Sequence, residues 1–547
     1  MSNKAVKALF VTLLVLQLAL IWGYSRFATQ DGPSHVYNAA VIGALRSGSW
    51  SGLSEYFRIS PRLVPNWTTY FLLSQFMKVF SAASAEKIVV SIYTVLFALS
   101  FWWVVEVVRP GSGDFMIWGL VLGRNWFLSM GFYNFCFGLV FFMLCFGYWF
   151  KWRKSFGIRQ WLMLLLLATL LYFTHLFCFL MAAFLIGVTG LFDCLSEARE
   201  GGGTGRPLQS FAKSMLPTVV IPELCFIVLL FLNPFGAIKP QYASHPETPR
   251  KIAEMLQHAT TIHMASIFDL LLDCSGTLAW IFVLAVDAFV IVGLYWTLGR
   301  SRERISAVSY GLAVFTVTCL VLYFFGPSAF SEKGDLRERA GWFALWGAFA
   351  FLASREWQVR GKLIASGVAT VACGLSVMTS ALWRHQVSPL LMAYDDAAHV
   401  VQPGKTILSL CYCSPWNTNL EVFRRLTVFP LVHAGDIVAL AGRDLSVEDY
   451  EGTLAGFPVE YLPQVNPSLH ATELMEVEFN PGLADMTDYE AQTGRPIDYV
   501  LVWGEPAASD QSDSELPLWG QLQANYVLVY GAPGRTSLRI FQKKGEK

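Results

Sequence analysis

Residues 132–150 read FYNFCFGLVFFMLCFGYWF, nineteen consecutive positions without a charge. A bilayer core of about 30 Å is crossed by roughly 20 apolar residues, and a helix satisfies its own backbone hydrogen bonds where no water can. A helix on the surface of a soluble protein keeps one polar face; this stretch has none. Working outward, residues 8–22, 88–108, 115–130, 215–232, 277–298, 307–325 and 364–383 repeat the pattern as plain membrane-crossing candidates. Residues 161–194 are too long for one crossing and divide near Thr174 and His175 into two short helices. Residues 341–353 are short but bracketed by Arg337, Arg339 and Arg355, and they complete a set of about eleven spans.

The whole composition agrees. Over 547 residues the chain is 54% hydrophobic and only 15% charged, with a mean hydropathy of +0.46, too little charge to cover a soluble protein of this size. Lys+Arg and Asp+Glu are equal at 40 each, which offers no concentrated basic surface for a nucleic acid. Short cytoplasmic loops are enriched in Lys and Arg. If the N-terminus is cytoplasmic, every inside segment carries positive charge, from Lys4 and Lys7 through Arg109, Lys151 to Arg159, Arg199 to Lys213 and Arg300 to Arg304, to Arg355, Arg360 and Lys362. That orientation makes residues 8–22 an uncleaved signal anchor, residues 29–87 and 233–276 external segments, and the C-terminus external. Seven of the ten cysteines lie in or beside apolar runs, and Cys411 and Cys413 are expected to be structural.

From about Val387 the composition becomes that of a soluble domain. Residues 406–410 and 499–503 read as short buried strands, 446–454 as a helix N-capped by Ser446, and 526–530 with 537–542 as a hairpin. The expected architecture is mainly α: a polytopic transmembrane bundle over residues 1–385 and an extracytoplasmic α/β domain over 386–547, large enough for its own core.

Chemistry is expected just after the first span, in Gln30-Asp31-Gly32-Pro33-Ser34-His35-Val36-Tyr37-Asn38. A helix beginning at Pro33 brings His35 near Asp31, and a partly buried carboxylate there suits a general base that deprotonates a hydroxyl. The plainer alternative makes Asp31 a helix cap. Arg58 and Arg62 in the first external segment, with Arg337 and Arg339 before the tenth span, are candidates to bind a phosphate, or else they reach lipid headgroups. His175, in an apolar run, is either functional or hydrogen-bonded to a neighbouring helix. His258, His263, Asp269 and Asp273 match no metal-binding spacing, and neither metal nor cofactor is expected.

The loop DGPSHVYNA, the later PRLVPNW and the stretch MGFYNFCFGL, set in this topology, resemble a bacterial branch of the GT-C superfamily of polyprenyl-phosphate-dependent membrane glycosyltransferases. The resemblance covers roughly the first 385 residues in organisation. Better-known members carry paired acidic residues in the first loop and a His-Pro-Pro segment, where this chain has Asp31 alone and Pro61-Arg62-Leu63-Val64-Pro65.

The resemblance implies an inverting glycosyltransferase of the bacterial inner membrane. Asp31 and His35 are then catalytic, external arginines bind the donor phosphate, and the partners are a polyprenyl-phosphate sugar, a glycan, lipid or protein acceptor and membrane lipids. The alternatives are a transporter or flippase of a lipid-linked substrate, which often shows duplicated halves not seen here, and a non-catalytic scaffold for envelope assembly.

Overall fold

The computed structural model describes residues 3–199, 208–209, 211–216, 267, 270–299, 305–326, 335–413, 421–454, 456–471, 474, 481–505, 517–531 and 538–545. The N-terminal part is built from helices α1 (Asn3–Trp22), α2 (Gly32–Ser47), α3 (Thr68–Phe76), α4 (Ala82–Val108), α5 (Met116–Gly123), α6 (Trp126–Met130), α7 (Tyr133–Trp152), α8 (Ile158–Thr174), α9 (Leu176–Glu197), α10 (Thr277–Gly299), α11 (Ala307–Phe325), α12 (Leu336–Ser354) and α13 (Val359–Ala397). Seven of these are long and apolar enough to cross a membrane, namely α1, α4, α7, α9, α10, α11 and α13. The protein is therefore a helical, multi-pass membrane protein with a C-terminal sheet region. The expected span at 215–232 lies almost wholly outside the described residues, as do His258, His263 and Asp269.

Because lipid is as apolar as a leucine side chain, the bundle is held by close packing and interhelical hydrogen bonds. α11 packs along α12, and between α7 and α12 Phe142 meets Phe343 and Trp346 edge-on at 4.9 and 4.7 Å between ring centroids. Such pairs add about 0.5–1.5 kcal/mol each beyond their buried area. The outer faces of α10 and α11 leave Leu284, Ile291, Tyr295 and Val317 exposed, as lipid-facing positions should be.

Three elements depart from the sequence expectation. The single span expected over 115–130 is two half-helices, α5 and α6, broken at Arg124 and Asn125. Asn125 satisfies both broken ends: its amide donates to the Leu122 carbonyl at 3.0 Å and its carbonyl accepts from Leu128 N–H at 3.2 Å. The division of 161–194 falls at His175 as expected, between α8 and α9. The last membrane helix, however, does not stop near residue 383. α13 runs 39 residues, about 58 Å at 1.5 Å per residue, through the expected domain boundary and out under the sheet region.

Five strands form the C-terminal sheet in the order β3-β2-β5-β7-β6: β2 (Thr406–Cys411), β3 (Leu445–Ser446), β5 (Tyr499–Trp503), β6 (Tyr526–Tyr530) and β7 (Leu538–Lys543). β2 pairs in parallel with both β3 and β5, and β5, β7 and β6 pair antiparallel. The helix expected over 446–454 does not form. The Ser446 N–H is taken by the Tyr37 hydroxyl and its carbonyl by Tyr461, so that backbone is spent on partners elsewhere, and only a single 3-10 turn follows at Glu451–Thr453.

The sheet region is stapled to the segment after α2. β1 (Phe57–Ile59) pairs antiparallel with β4 (Val459–Tyr461), with Arg58 directly opposite Glu460. The Glu460 carboxylate accepts from Arg58 Nη2 at 2.9 Å, from Ser60 Oγ at 2.6 Å and from Arg62. Burial disfavours the charge on Glu460, but Arg62, Ser60 and Arg58 outweigh it and hold the carboxyl below its ordinary range.

Candidate functional site

The three sequence stretches singled out after α1 meet at one place. Gln30 N–H and Asp31 N–H donate to the carbonyls of Ser129 and Met130, at 3.1 and 2.8 Å, so the DGPSH loop lies along the turn between α6 and α7. Gly131 has φ of +90°, a conformation that favours glycine, and a Cβ there would lie 2.6 Å from Gly32 N. Gly32 is as constrained: its Cβ would lie 2.1 Å from Thr29 Oγ1 and 2.3 Å from Glu86 Oε1. From the third stretch, the Asn66 carbonyl accepts from Asn134 Nδ2 at 3.0 Å, and Thr69 N–H donates to Asn134 Oδ1 at 2.9 Å.

Asp31 stands at the N-cap position of α2, 4% exposed, yet its side chain makes no capping bond to the helix. Its carboxylate faces the C-terminal segment. Tyr450 Oη donates to Oδ2 at 2.8 Å, and His433 Nε2 lies 3.7 Å from Oδ1. His433 Nδ1 is in turn 2.8 Å from Glu448 Oε1. His35 turns away from Asp31 to a second carboxylate, with Nδ1 2.5 Å from Glu451 Oε1 and 3.0 Å from Tyr70 Oη, which also bonds Glu451. Burial works against a charge on His35, but Glu451 first, then Asp31 and Glu86, outweigh it and raise its pKa above the ordinary value. Glu86, in the first turns of α4, accepts from Tyr133 Oη at 2.6 Å.

Below the α2 surface the acidic character continues. Asn38 Nδ2 donates to Asp449 Oδ1 at 2.7 Å. Burial pushes Asp449 well up, helped by the nearby charges of Glu451 and Asp436, and it raises Asp436 and Asp444 each to about 7.

The cationic candidates divide. Arg58 and Arg62 are committed to Glu460, and Arg337 donates to the Gly326 carbonyl at 2.7 Å. Arg339 is half-buried over the rings of Phe132 and Phe135, at 5.4 and 5.5 Å, within electrostatic reach of both His175 and Tyr450. His175 caps α9, its Nδ1 accepting from Cys178 N–H at 3.5 Å, with Phe135 edge-on at 5.1 Å. Of the four arginines, Arg339 is the one that approaches the Asp31 cluster.

Sequence reasoning missed a second buried cluster on the other side of the Ser129–Gly131 turn. Asp273 Oδ2 accepts from Ser129 and Ser380 at 2.8 Å each and pairs with Arg384 at 3.3 Å. Arg124, buried at the helix break, donates to Ser380 Oγ at 3.2 Å. Burial disfavours the Asp273 charge, but Arg384 and Arg124 prevail and lower its pKa. A charge inside an apolar run was the available signal, at Arg124 within 115–130 and at Arg384 just past 383. No sequence signal pairs residue 31 with residues 433–451.

Among the described residues no three His, Cys, Asp or Glu side chains are grouped to hold a metal ion. The fold and site thus define a multi-pass membrane protein whose sheet region closes over a buried carboxylate cluster at one end of the bundle. No protein-family model matches the chain, and no curated protein matches it.

Proposed function

We propose that this protein is a membrane-embedded, GT-C-type glycosyltransferase that moves a sugar, with inversion, from a polyprenyl-phosphate donor to a hydroxyl of an envelope glycan, lipid or protein. In this reading the chain crosses a bacterial inner membrane about eleven times, with a cytoplasmic N-terminus and an extracytoplasmic C-terminal domain.

The observation that carries the reading is the contact between Asp31 Oδ2 and the Tyr450 hydroxyl at 2.8 Å. A carboxylate released from helix capping and aimed at a hydroxyl has the geometry of a general base, within the reach proton abstraction requires. The Tyr450 hydroxyl occupies the place an acceptor hydroxyl would take. The acceptor displaces it and gives its proton to Asp31 as its oxygen forms a bond to the anomeric carbon. The carbon–oxygen bond to the phosphate breaks on the opposite face, and the phosphate leaves with the electron pair. Arg339 is the guanidinium suited to the charge that builds on those oxygens.

One observation favours a transporter instead: a helix interrupted inside the bundle, with buried Arg124 at the break. Sugar transfer by the purified protein in nanodiscs, from radiolabelled polyprenyl-phosphate sugars to envelope acceptors, separates the two. Transfer by wild type that Asp31→Asn abolishes is expected. Movement of lipid-linked sugar across proteoliposomes, without any transfer, would sink the transferase reading.

A further inference from the structure

Two carboxylates flank one imidazole in the Asp31 cluster. His433 is 2% exposed, with Glu448 against Nδ1 at 2.8 Å and Asp31 against Nε2 at 3.7 Å. Its ring lies over Tyr450, 4.9 Å between centroids at 31°, and Tyr450 holds the other oxygen of Asp31. The backbone that carries His433 is fixed to the residue next to Asp31. Phe429 N–H donates to Gln30 Oε1 at 2.9 Å, and tight turns follow through Val432 N–H to Phe429 O and Ala434 N–H to Leu431 O. Glu448 comes from the other side, on the extended segment that Val447 N–H anchors to the Ile407 carbonyl of β2 at 2.9 Å. Gln30 and Asp31 thus receive the whole arrangement from a segment some four hundred residues away.

We infer that His433 and Glu448 are positioning residues for Asp31: Glu448 fixes the imidazole with its proton on Nδ1, and Nε2 takes over the proton Asp31 receives from the acceptor. This rests on the transferase reading above. With Glu448 ionised, the 2.8 Å contact requires a hydrogen on Nδ1, and in the neutral ring this turns the Nε2 lone pair toward Asp31 Oδ1. A closure of about 0.8 Å brings those atoms to hydrogen-bond distance. When the acceptor O–H breaks, its proton goes to Asp31. Taken up on Oδ2, where the acceptor stands in for Tyr450, it is presented to Nε2 by rotation of the carboxylic acid about its Cβ–Cγ bond; the O–H bond breaks as the N–H bond forms, Asp31 is ionised again, and the imidazolium stands between two carboxylates that share its charge. The proton leaves to water when the site opens for product release. A nucleophile or base oriented by a second group, itself oriented by a third, is a general device for keeping one tautomer and one geometry. Here the membrane part supplies the base and the sheet region supplies the pair that orients and resets it.

The full-length protein in nanodiscs carries the test in two arms. In the kinetic arm, Glu448→Gln lowers kcat about 10- to 100-fold, the usual range for a partner behind the first contact, with the donor KM unchanged. His433→Ala loses about 100-fold, and added imidazole restores at least part of it. A folded His433→Ala protein that keeps full rate, or that imidazole does not revive, overturns the inference. In the spectroscopic arm, 15N-histidine labelling reads the tautomer of His433 whether or not transfer occurs, its signal assigned by loss in His433→Ala. The neutral ring carries its proton on Nδ1 in wild type and moves it to Nε2 in Glu448→Ala; an unmoved tautomer overturns the inference. The expected tautomer shift without transfer by wild type would leave the pairing in place and reject the transferase reading alone.

Discussion

On one side of the Ser129–Gly131 turn, Asp31, Glu448, Glu451 and Glu86 outnumber the cations near them, and on the other Arg124 and Arg384 share a single Asp273. Both clusters are buried and only a few residues of backbone separate them. In the acidic cluster the surplus is met by tyrosine hydroxyls and imidazoles, groups that move protons. In the basic cluster it is met by the Ser380 and Ser129 hydroxyl oxygens, which accept from Arg124 and Arg384, and by the faces of Phe27 and Trp383, 4.6 and 4.2 Å from the Arg384 guanidinium, groups that do not. A buried arginine cannot shed its charge, whereas a buried carboxylate, histidine or tyrosine trades charge with its neighbours. The second cluster ties α6, α13 and the Asp273 segment together, and the first is the one with groups able to exchange protons.

That contrast breaks most visibly at Asp273. Asp273→Asn leaves two buried guanidiniums without their shared anion and is expected to cost about 3–5 kcal/mol, read as a lowered unfolding temperature in detergent. Adding Arg384→Met should restore much of it, and an additive double mutant would mean that the two residues do not act as a pair. On the acidic side, Tyr450→Phe takes one charge-assisted hydrogen bond from the buried Asp31 carboxylate and is expected to cost about 1.5–3 kcal/mol. Under the proposed transfer it also removes the hydroxyl standing in the acceptor's place, and the acceptor KM is then expected to fall about tenfold, one charge-assisted hydrogen bond. An unchanged KM would show that Tyr450 does not stand in the acceptor's place.

Glu460→Gln loosens the β1–β4 staple by about 1–2 kcal/mol, most of it through Arg62, because Arg58 is half exposed and its share is screened. Glu460 has a depressed pKa in the folded state, so its stabilisation is present above the ordinary glutamate range and is lost as pH falls through the folded value. Protease cleavage between the sheet region and the bundle should therefore rise in acid, and in Glu460→Gln at neutral pH. A pH-dependent effect of the opposite sign is expected at Asp436. Its pKa rises from 3.8 to about 7 on folding, so the native state holds a proton the unfolded chain releases, and stability falls as pH rises through that window. Asp436→Asn removes this penalty and gains about 2–3 kcal/mol at pH 8 relative to pH 5; an equal effect at both pH values would contradict it.

The helical class was legible because an unbroken apolar run of about 20 residues crosses lipid as a helix, whereas barrel strands are shorter and alternate with polar residues, so 132–150 and its repeats could be read directly. The strands at 406–410, 499–503 and 526–530 were legible as well, since each is a short apolar run between turn residues. Phe115 to Met130 misled for the opposite reason. Its composition is that of a span, and its break depends on Asn125 finding Leu122 and Leu128 at the same time. Ser446 likewise looked like a helix cap until Tyr37 and Tyr461 took its backbone.

Taken alone, the sequence determined that the chain belongs in a membrane, where most of its long apolar helices begin and end, and that Asp31 sits in a polar loop directly after the first of them. Hydropathy and local hydrogen-bonding chemistry act over a few residues and leave their mark in order. Only the tertiary structure decided which arginines are committed elsewhere, that Asp31 is bound by Tyr450 and faced by His433, and that Asp273 joins Ser129, Ser380 and Arg384. Those pairings join positions a hundred to four hundred residues apart, and a buried charge takes whichever partner the packed fold brings within a few ångströms.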